Sequence, residues 1–95
     1  MSHYVYIIFS KRLDRFYIGE TYEFAQRIEF HNDIIVNSNY TKQGIPWVQY
    51  LLIICKERRY ARLIESHIKK MKSNTYIQNL KKYPEMLQKL KDKYN

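Results

Sequence analysis

The sequence predicts an α/β fold of the α+β kind, in which a small three-stranded antiparallel sheet is flanked by helices in the order β-β-α-β-α-α. Three observations predict it. Two short runs of β-branched and aromatic residues lie close together near the start of the chain, a third run follows a polar loop, and segments with helical spacing of apolar residues lie between and after them. At 95 residues the chain has room for one domain with one core.

The first two strands are predicted to form a hairpin. Residues 3–9 are almost all β-branched or aromatic, and residues 15–20 follow them after a polar turn at 10–14. Gly19, near the end of the second strand, permits a bulge or a close backbone approach.

A first helix is predicted over about residues 22–32, with Thr21 as its cap. Its apolar residues Phe24 and Ile28 are four apart and therefore share a face. Residues 33–46 show no helical period and contain Asn, Ser, Gly and Pro, which predicts a loop.

The second half of the chain is predicted to contain one strand and then helices. Residues 47–56 are mostly apolar and predict the third strand, and a helix is expected over about residues 58–72. The apolar residues of this helix that predict its buried face are Ala61, Ile64, Ile68 and Met71. A break at Ser73–Asn74 and a shorter helix from about Thr75 follow.

The domain organisation predicted from the sequence is a single unit. Residues 1–83 are expected to form the domain, and residues 84–95 a basic C-terminal helix docked on it. Pro84 suits the first turn of this helix, and the residues expected on its docked face are Leu87, Leu90 and Tyr94.

Charge is distributed unevenly along the chain. The formal net charge is +8, but the first 55 residues hold five basic and five acidic residues, whereas the last 40 hold twelve basic and four acidic residues. Such an asymmetry indicates an anionic partner.

Composition also excludes several classes of protein. No apolar run approaches the ~18 residues of a membrane span, and no secretory signal is recognisable. Cys55 is the single cysteine, which fits a reducing cytoplasm and predicts a buried, inert thiol. No Cys/His cluster has zinc-ligand spacing, and two glycines are too few for a glycine-rich phosphate loop.

Five polar or aromatic side chains are spaced so that the fold could bring them together. Alternation along the strands places Tyr6 on one face of the first strand and Tyr17 with Gly19 on one face of the second. Arg27 and His31 are four residues apart and share a face of the first helix, at the rim of the Phe24/Ile28 stripe facing a cleft. Glu65 lies at the edge of the apolar stripe of the later helix.

With these side chains and their spacing, the chain resembles the GIY-YIG nucleases, in particular small stand-alone members related to the UvrC nuclease domain. Tyr4-Val5-Tyr6 stands where that family has Gly-Ile-Tyr, and Tyr17-Ile18-Gly19 matches its second element. Residues 24–32 are similar to the Arg-x-x-x-His-Asn helix, and residues 63–70 to the Glu-x-x-Ile-Lys segment. The resemblance extends from Tyr4 to about Tyr83.

The resemblance implies a DNA endonuclease that uses one divalent metal ion, Mg²⁺ or Mn²⁺. Glu65 would be the single protein ligand of the metal, and Arg27 would contact the phosphate oxygens. Tyr6 and Tyr17 would orient the attacking water and one would accept its proton, with Arg27 and the metal lowering the pKa of the phenol; His31 would hold or relay a proton. Further candidates for the site are Tyr4, Gly19 and Asn79, with Asn74 nearly as good as Asn79.

Two positions depart from the family's pattern. Tyr4 replaces the first glycine of Gly-Ile-Tyr, and Glu20 stands where some members have a lysine. A carboxylate at position 20 would repel phosphate unless it points away.

The basic residues near Glu65 are predicted to contact the DNA backbone without reading sequence. They are Arg58, Arg59, Arg62, Lys69, Lys70 and Lys72, with Thr41 and Lys42 of the loop as further contacts. By analogy, the substrate would be branched, nicked or damaged DNA in repair or recombination.

Other interpretations stay open at this stage. The chain could be a nucleic-acid-binding module that keeps the fold without turnover, or a scaffold that binds an acidic protein through its basic half. Tyr6 and Tyr17 could be ordinary sheet residues, and Glu65 could be half of a surface ion pair with Lys69.

Overall fold

A central antiparallel sheet of three strands, in the order β2-β1-β3, organises the chain in the computed structural model. The structure describes residues 2–94, so residues 1 and 95 of the predicted domain boundaries lie outside the described residues. The elements are β1 (His3–Ser10), β2 (Arg15–Thr21), α1 (Phe24–Asn32), a 3₁₀ turn (Tyr40–Gly44), β3 (Trp47–Cys55), α2 (Arg58–Met71), α3 (Asn74–Lys82) and α4 (Pro84–Tyr94). The predicted α+β class is confirmed, and the described chain has three helices after β3.

The hairpin of β1 and β2 sets the register on which the site depends. Its tight turn ends at Asp14, whose φ of 53° is in the left-handed region that short polar side chains tolerate. In the resulting register Tyr6 pairs with Gly19, and Ile8 pairs with Tyr17. The predicted hairpin and its alternation are therefore confirmed.

Strand β1 is the central strand because β3 pairs along its other edge, also antiparallel. The register shifts between Ile7 and Ile8, where the partners change from Leu51 to Gln49 and Tyr50 is left over as a bulge. The sequence allowed either a bulge or a close backbone approach at Gly19. The bulge of the sheet lies at Tyr50 on β3 instead.

The two faces of the sheet pack against different layers. On one face the core is formed with the second half of the chain, by Val5, Ile7, Ile53, Cys55, Ala61, Ile64, Ile68, Ile77, Leu80 and Leu90. On the other face a smaller cluster of Tyr6, Ile8 and Trp47 packs against partly buried Phe24 and Ile28 of α1. Because side chains alternate along β1, this one strand supplies both clusters.

Several helix boundaries differ slightly from those predicted. Helix α1 begins at Phe24, because Thr21 Oγ1 accepts a hydrogen bond from the Glu23 backbone N–H (3.1 Å) in a turn before the helix instead of capping it. Met71 is 46% exposed and does not belong to the buried stripe of α2. Ser73 caps α3 by accepting from the Tyr76 backbone N–H at 3.1 Å.

The last helix packs on α2 and α3 through its apolar face. Leu90 of α4 is buried in the larger core, and Leu87 and Tyr94 pack against it. Cys55 is buried as predicted, and burial raises the pKa of its thiol, which makes it a poor nucleophile. Within residues 2–94, no helix has the length and apolar character needed to cross a membrane.

Candidate active site

Tyr6 lies at the centre of the site, and its position depends on Gly19. The Tyr6 ring lies over Gly19, its pairing partner on β2. A Cβ atom at Gly19 would lie 2.5 Å from Tyr6 Cζ and 2.8 Å from Cε1, and closer still to the hydroxyl. Real Cβ contacts are not this short, so any side chain at position 19 would displace the phenol. Gly19 therefore allows a close approach, but the group that approaches it is the Tyr6 side chain and not backbone.

The Tyr6 hydroxyl forms a hydrogen bond with His31, which lies in the last turn of α1. The distance from Tyr6 Oη to His31 Nε2 is 2.9 Å. His31 is 1% exposed, so the prediction that it lies at the rim of the core facing a cleft is wrong. Arg27 is exposed although it lies one turn before His31 on the same side of α1. His31 is covered because Tyr6 of the sheet and Asn37 and Thr41 of the following loop contact it.

The hydrogen bonds around Thr41 determine which nitrogen of His31 carries the proton. Thr41 Oγ1 donates its one hydrogen to Asn39 Oδ1 (2.7 Å) and accepts from Asn37 Nδ2 (2.8 Å). It lies 2.8 Å from His31 Nδ1 and can only accept there, so Nδ1 is the protonated nitrogen. In the neutral ring Nε2 is then an acceptor, and Tyr6 donates to it.

The protonation states of this pair follow from burial. Burial, followed by the positive charge of Arg27, lowers the pKa of His31 to about 4, so the ring is neutral at pH 7. Burial raises the pKa of Tyr6 well above its usual value, and the neighbouring Tyr17 raises it further. Arg27 acts in the opposite direction on Tyr6, but by less than burial. The expected direction of the effect of Arg27 on the phenol is therefore present, but burial outweighs it.

Thr41 is enclosed in the protein and is not a surface contact. It is 1% exposed, and its hydroxyl is used fully by His31, Asn37 and Asn39. The prediction that Thr41 contacts the DNA backbone is therefore wrong, because a side chain with no exposed surface cannot reach a phosphate. Lys42, the next residue of the 3₁₀ turn, is exposed.

Tyr17 completes the aromatic part of the site. It is half-buried, and its ring centroid lies 5.0 Å from that of His31 and 6.3 Å from that of Tyr6. Trp47 borders it on the other side at 6.2 Å. Since Tyr17 keeps part of its surface in solvent, it lies between the buried pair and the outside.

Arg27 borders a surface cleft beside these aromatic residues. The cleft has a volume of about 300 Å³, and its lining residues are His3, Glu20, Thr21, Tyr22, Arg27 and Arg58. Arg27 is exposed and lies close enough to Tyr6 and His31 for its charge to lower the pKa of both. Of the five side chains expected to converge, Arg27 is the one that lines this cleft.

Glu65 presents a carboxylate near the same hydroxyl group. Its negative charge contributes to the raised pKa of Tyr6. Its side chain is 19% exposed, and one oxygen, Oε2, lies 3.1 Å from Lys69 Nζ. The surface ion pair considered from the sequence is thus present, and it engages one carboxylate oxygen.

The donor set at Glu65 fits a hard divalent cation. Within residues 2–94, no group of three or more His, Cys, Asp or Glu side chains is arranged to hold a metal ion. A metal at Glu65 would therefore have one protein carboxylate and would complete its shell with water and phosphate oxygens, which is the coordination that Mg²⁺ commonly keeps.

Glu20 does not present a free carboxylate to the cleft. Oε2 contacts His3 Nε2, and Oε1 lies 3.4 Å from Arg58 Nε. The Glu20 side chain is 16% exposed. Both oxygens are thus engaged with partners that can carry positive charge, which reduces the repulsion of phosphate expected from the sequence.

The predicted DNA contacts on α2 form a positively charged surface beside the cleft. A groove of about 660 Å³ runs along this surface, lined by Arg58, Arg59, Arg62 and Leu63. Lys70 and Lys72 are exposed, whereas Lys69 is engaged with Glu65.

Tyr4 and Asn79 have no demonstrated place in the site. Tyr4 is half-buried and pairs with Thr21, a residue that lines the cleft. Among the hydrogen bonds of residues 2–94, Asn79 contributes its main-chain carbonyl, which accepts from the Tyr83 N–H at 2.9 Å. Its side chain makes no hydrogen bond to the site in this part of the chain.

Asn37 and Asn32 support the site, and sequence reasoning did not identify them. Asn37 is fully buried and donates to the His31 carbonyl oxygen (2.9 Å) as well as to Thr41. Asn32 accepts from the Trp47 N–H (2.6 Å) and donates to the Trp47 carbonyl oxygen (2.9 Å). The available signal was the spacing of Asn37, Asn39 and Thr41, which is typical of side chains that cap turns.

Comparison with known families agrees with this geometry. Residues 2–82 match the model of the GIY-YIG catalytic domain. No curated protein and no solved structure matched the chain. Endonucleases of this family hydrolyse phosphodiester bonds in nucleic acid and typically use a divalent metal. Because the match covers most of the 95 residues, the chain belongs to the GIY-YIG catalytic domain family and is an endonuclease.

Proposed function

We propose that the chain is a DNA endonuclease of low sequence specificity that uses Mg²⁺ or Mn²⁺ and acts at branched, nicked or damaged DNA. The observation that carries the catalytic part is the hydrogen bond of 2.9 Å that Tyr6 donates to His31 Nε2. This bond directs the phenolic proton to a neutral imidazole and leaves the lone pairs of the phenol for a second partner.

The attacking water gives its proton to Tyr6 while Tyr6 passes its own proton to His31. The resulting hydroxide attacks the phosphorus and the bond to the leaving oxygen breaks, and that oxygen takes a proton from solvent water. His31 becomes an imidazolium and returns its proton to solvent after the product leaves. A concerted transfer suits the raised pKa of Tyr6, because no free phenolate has to form. The negative charge of a bound phosphate would raise the pKa of His31 above the value of about 4 that burial and Arg27 give the substrate-free ring. Thr41 holds the ring in the tautomer that this transfer needs.

Arg27 and Tyr17 position the substrate in this scheme. Arg27 is exposed at the cleft, and its planar guanidinium is suited to hold two oxygens of one phosphate. Tyr17, half-buried next to His31, orients the water from the open side of the site. Their roles are those expected from the family resemblance.

Glu65 would hold the metal ion through its carboxylate. When bound, the ion neutralises charge that develops on the phosphate and on the leaving oxygen. Lys69 engages one of the two carboxylate oxygens, Oε2, at 3.1 Å.

The low sequence specificity follows from the chemistry of the basic surface. Arg58, Arg59 and Arg62 line a groove on α2, and such side chains neutralise backbone phosphates without reading base edges. Three further parts of the proposal are inferred by analogy with the family. They are the preference for branched, nicked or damaged DNA, the relation to UvrC, and a role in repair or recombination.

Cleavage of supercoiled and branched DNA with Mg²⁺ or Mn²⁺ tests the proposal. We expect metal-dependent nicking by the wild-type chain and a loss of about 10²-fold or more in Glu65→Ala and Arg27→Ala. Glu85→Ala and Arg12→Ala, which remove the same charges at exposed positions away from the cleft, are the matched controls and should cut normally.

Two results would contradict the proposal. Cleavage that survives Glu65→Ala or Arg27→Ala unchanged would remove their assigned roles. Salt-sensitive DNA binding without cutting under any metal would instead identify a binding module that keeps the fold without turnover.

A further inference from the structure

Two arginines from different helices face the same cleft. Arg27 comes from α1 and Arg58 from the first turn of α2, and both line the cleft of about 300 Å³ that contains Glu20. Both side chains are exposed. The cleft therefore brings together two guanidinium groups and one carboxylate.

Glu20 holds Arg58 by one particular nitrogen. Glu20 Oε1 lies 3.4 Å from Arg58 Nε, and Oε2 contacts His3. Among residues 2–94, this is the one ion pair of Arg58, and the side chain is 66% exposed. An ion pair at Nε leaves both terminal nitrogens, with their four N–H groups, for other acceptors.

The position of Arg58 in α2 favours an anionic ligand on independent grounds. The first turn of a helix carries partial positive charge, which acidic side chains normally offset. The first turn of α2 contains no acidic residue and begins with Arg58 and Arg59. Arg59 is engaged with Glu57 (3.4 Å) and with the Tyr60 hydroxyl (2.8 Å), whereas Arg58 lines the cleft.

Arg58 also connects the cleft to the groove along α2. It lines the cleft together with Arg27, and it lines the groove together with Arg62. A chain of phosphates that enters the cleft at Arg27 can therefore continue past Arg58 onto α2.

We propose that Arg58, oriented by Glu20, binds a second backbone phosphate of the substrate strand, next to the phosphate held by Arg27. The inference rests on the proposed function, since it places a DNA strand in the active-site cleft. Glu20 is then a positioning residue, and its negative charge favours DNA binding by aligning Arg58 more than it opposes binding by repelling phosphate.

The test is DNA binding by the full chain in EDTA, which prevents metal-dependent cutting, with a fluorescein-labelled nicked duplex at several salt concentrations. Arg58→Gln should weaken binding about five- to tenfold and reduce the slope of log affinity against log salt by about one. Arg12→Gln makes the same charge change at an exposed residue of the β1–β2 turn and should weaken binding by less than about twofold.

Glu20→Gln distinguishes alignment from repulsion. If Glu20 aligns Arg58, Glu20→Gln should weaken binding by about threefold in the wild-type background. In the Arg58→Gln background it should no longer weaken binding, because only the repulsion of phosphate by Glu20 is left to be relieved. Arg58→Lys keeps the charge but lacks Nε, so it should bind less tightly than wild type and should not be weakened further by Glu20→Gln. Circular dichroism would show whether either Arg58 substitution perturbs folding. If one does, the other still tests the inference.

Three results would overturn the inference. They are tighter binding by Glu20→Gln, unchanged binding by Arg58→Gln, and additive effects in the double variant. Since no cutting is involved, these results are distinct from failure of the proposed function: a chain that binds as described but never cuts would retain the Arg58 site and lose the catalytic assignment.

Discussion

The two faces of the sheet are built from different kinds of residue. The face covered by α2, α3 and α4 buries ten residues, all aliphatic apart from Cys55. The face covered by α1 buries Tyr6, Ile8 and Trp47, together with a polar network of His31, Asn37 and Thr41. The first face stabilises the fold, and the second holds the groups that can move a proton.

Strand β1 is the element that separates these two functions. Val5 and Ile7 point into the aliphatic core, and Tyr6 and Ile8 point to the α1 face. Apolar burial is the main source of folding free energy, whereas buried polar groups contribute little net stability and are costly when a partner is lost. The protein therefore has a face that tolerates polar burial because the opposite face supplies stability.

Removing the Tyr6 hydroxyl should have the largest effect, and this effect should be on activity. In Tyr6→Phe the proton path to His31 is lost, so we expect the rate of DNA cleavage to fall by about 10²- to 10⁴-fold. The measurement is the single-turnover nicking rate with saturating protein. Tyr50→Phe removes a hydroxyl from a half-buried tyrosine packed on the aliphatic face and should cut at the wild-type rate. Cleavage by Tyr6→Phe at the rate of Tyr50→Phe would exclude the path.

Truncation in the aliphatic core should act on stability instead. Ile64 is fully buried, and Ile64→Ala should lower the free energy of unfolding by about 2–5 kcal/mol through lost burial and the cavity left behind. Urea denaturation measures this change. Leu63→Ala, at the neighbouring residue that is 49% exposed, should cost less than about 1 kcal/mol. Equal losses for the two variants would contradict the division between the faces.

A smaller effect is expected in the pH dependence of stability. The pKa of His31 is lowered to about 4, so the unfolded chain, with a histidine pKa near 6.5, binds the proton more readily. Stability due to this group is complete above pH 6.5 and is lost as the pH falls toward 4, by up to about 1.4 kcal/mol per pH unit.

Two histidine variants isolate this contribution from that of the carboxylates. His31→Gln should flatten the dependence between pH 6.5 and 4 in urea denaturation. His67, on the opposite face, has a pKa lowered mainly by burial but is only half-buried, so His67→Gln should flatten the dependence less. An unchanged slope in His31→Gln would show that folding does not lower the pKa of His31.

Much of the fold could be predicted from residue patterns because its elements are determined locally. Alternating and 3.6-residue periods located the three strands and α2 to within one or two residues. The hairpin of β1 and β2 was predicted from its polar turn, and the structure adds the register in which Tyr6 pairs with Gly19. The convergence of Tyr6, Tyr17 and His31 was also predicted, because the family resemblance supplied the long-range association.

The supports of the site could not be predicted in the same way. Asn37 and Thr41 lie in a segment without periodicity, and their burial depends on the path of the loop beneath His31. The same is true of Glu20, whose expected repulsion of phosphate depended on partners 17 and 38 positions away in the chain, at His3 and Arg58.

The uneven charge of the chain illustrates both what local sequence determines and what only the folded structure determines. Counting residues was enough to assign the net charge of +8 to the last 40 residues and to indicate an anionic partner, because composition and local periodicity are properties of neighbouring residues. The meeting of Arg58 with Glu20 and Arg27 at one cleft required the folded chain. Contacts between distant segments depend on how the layers pack on the sheet, and no local pattern specifies that packing.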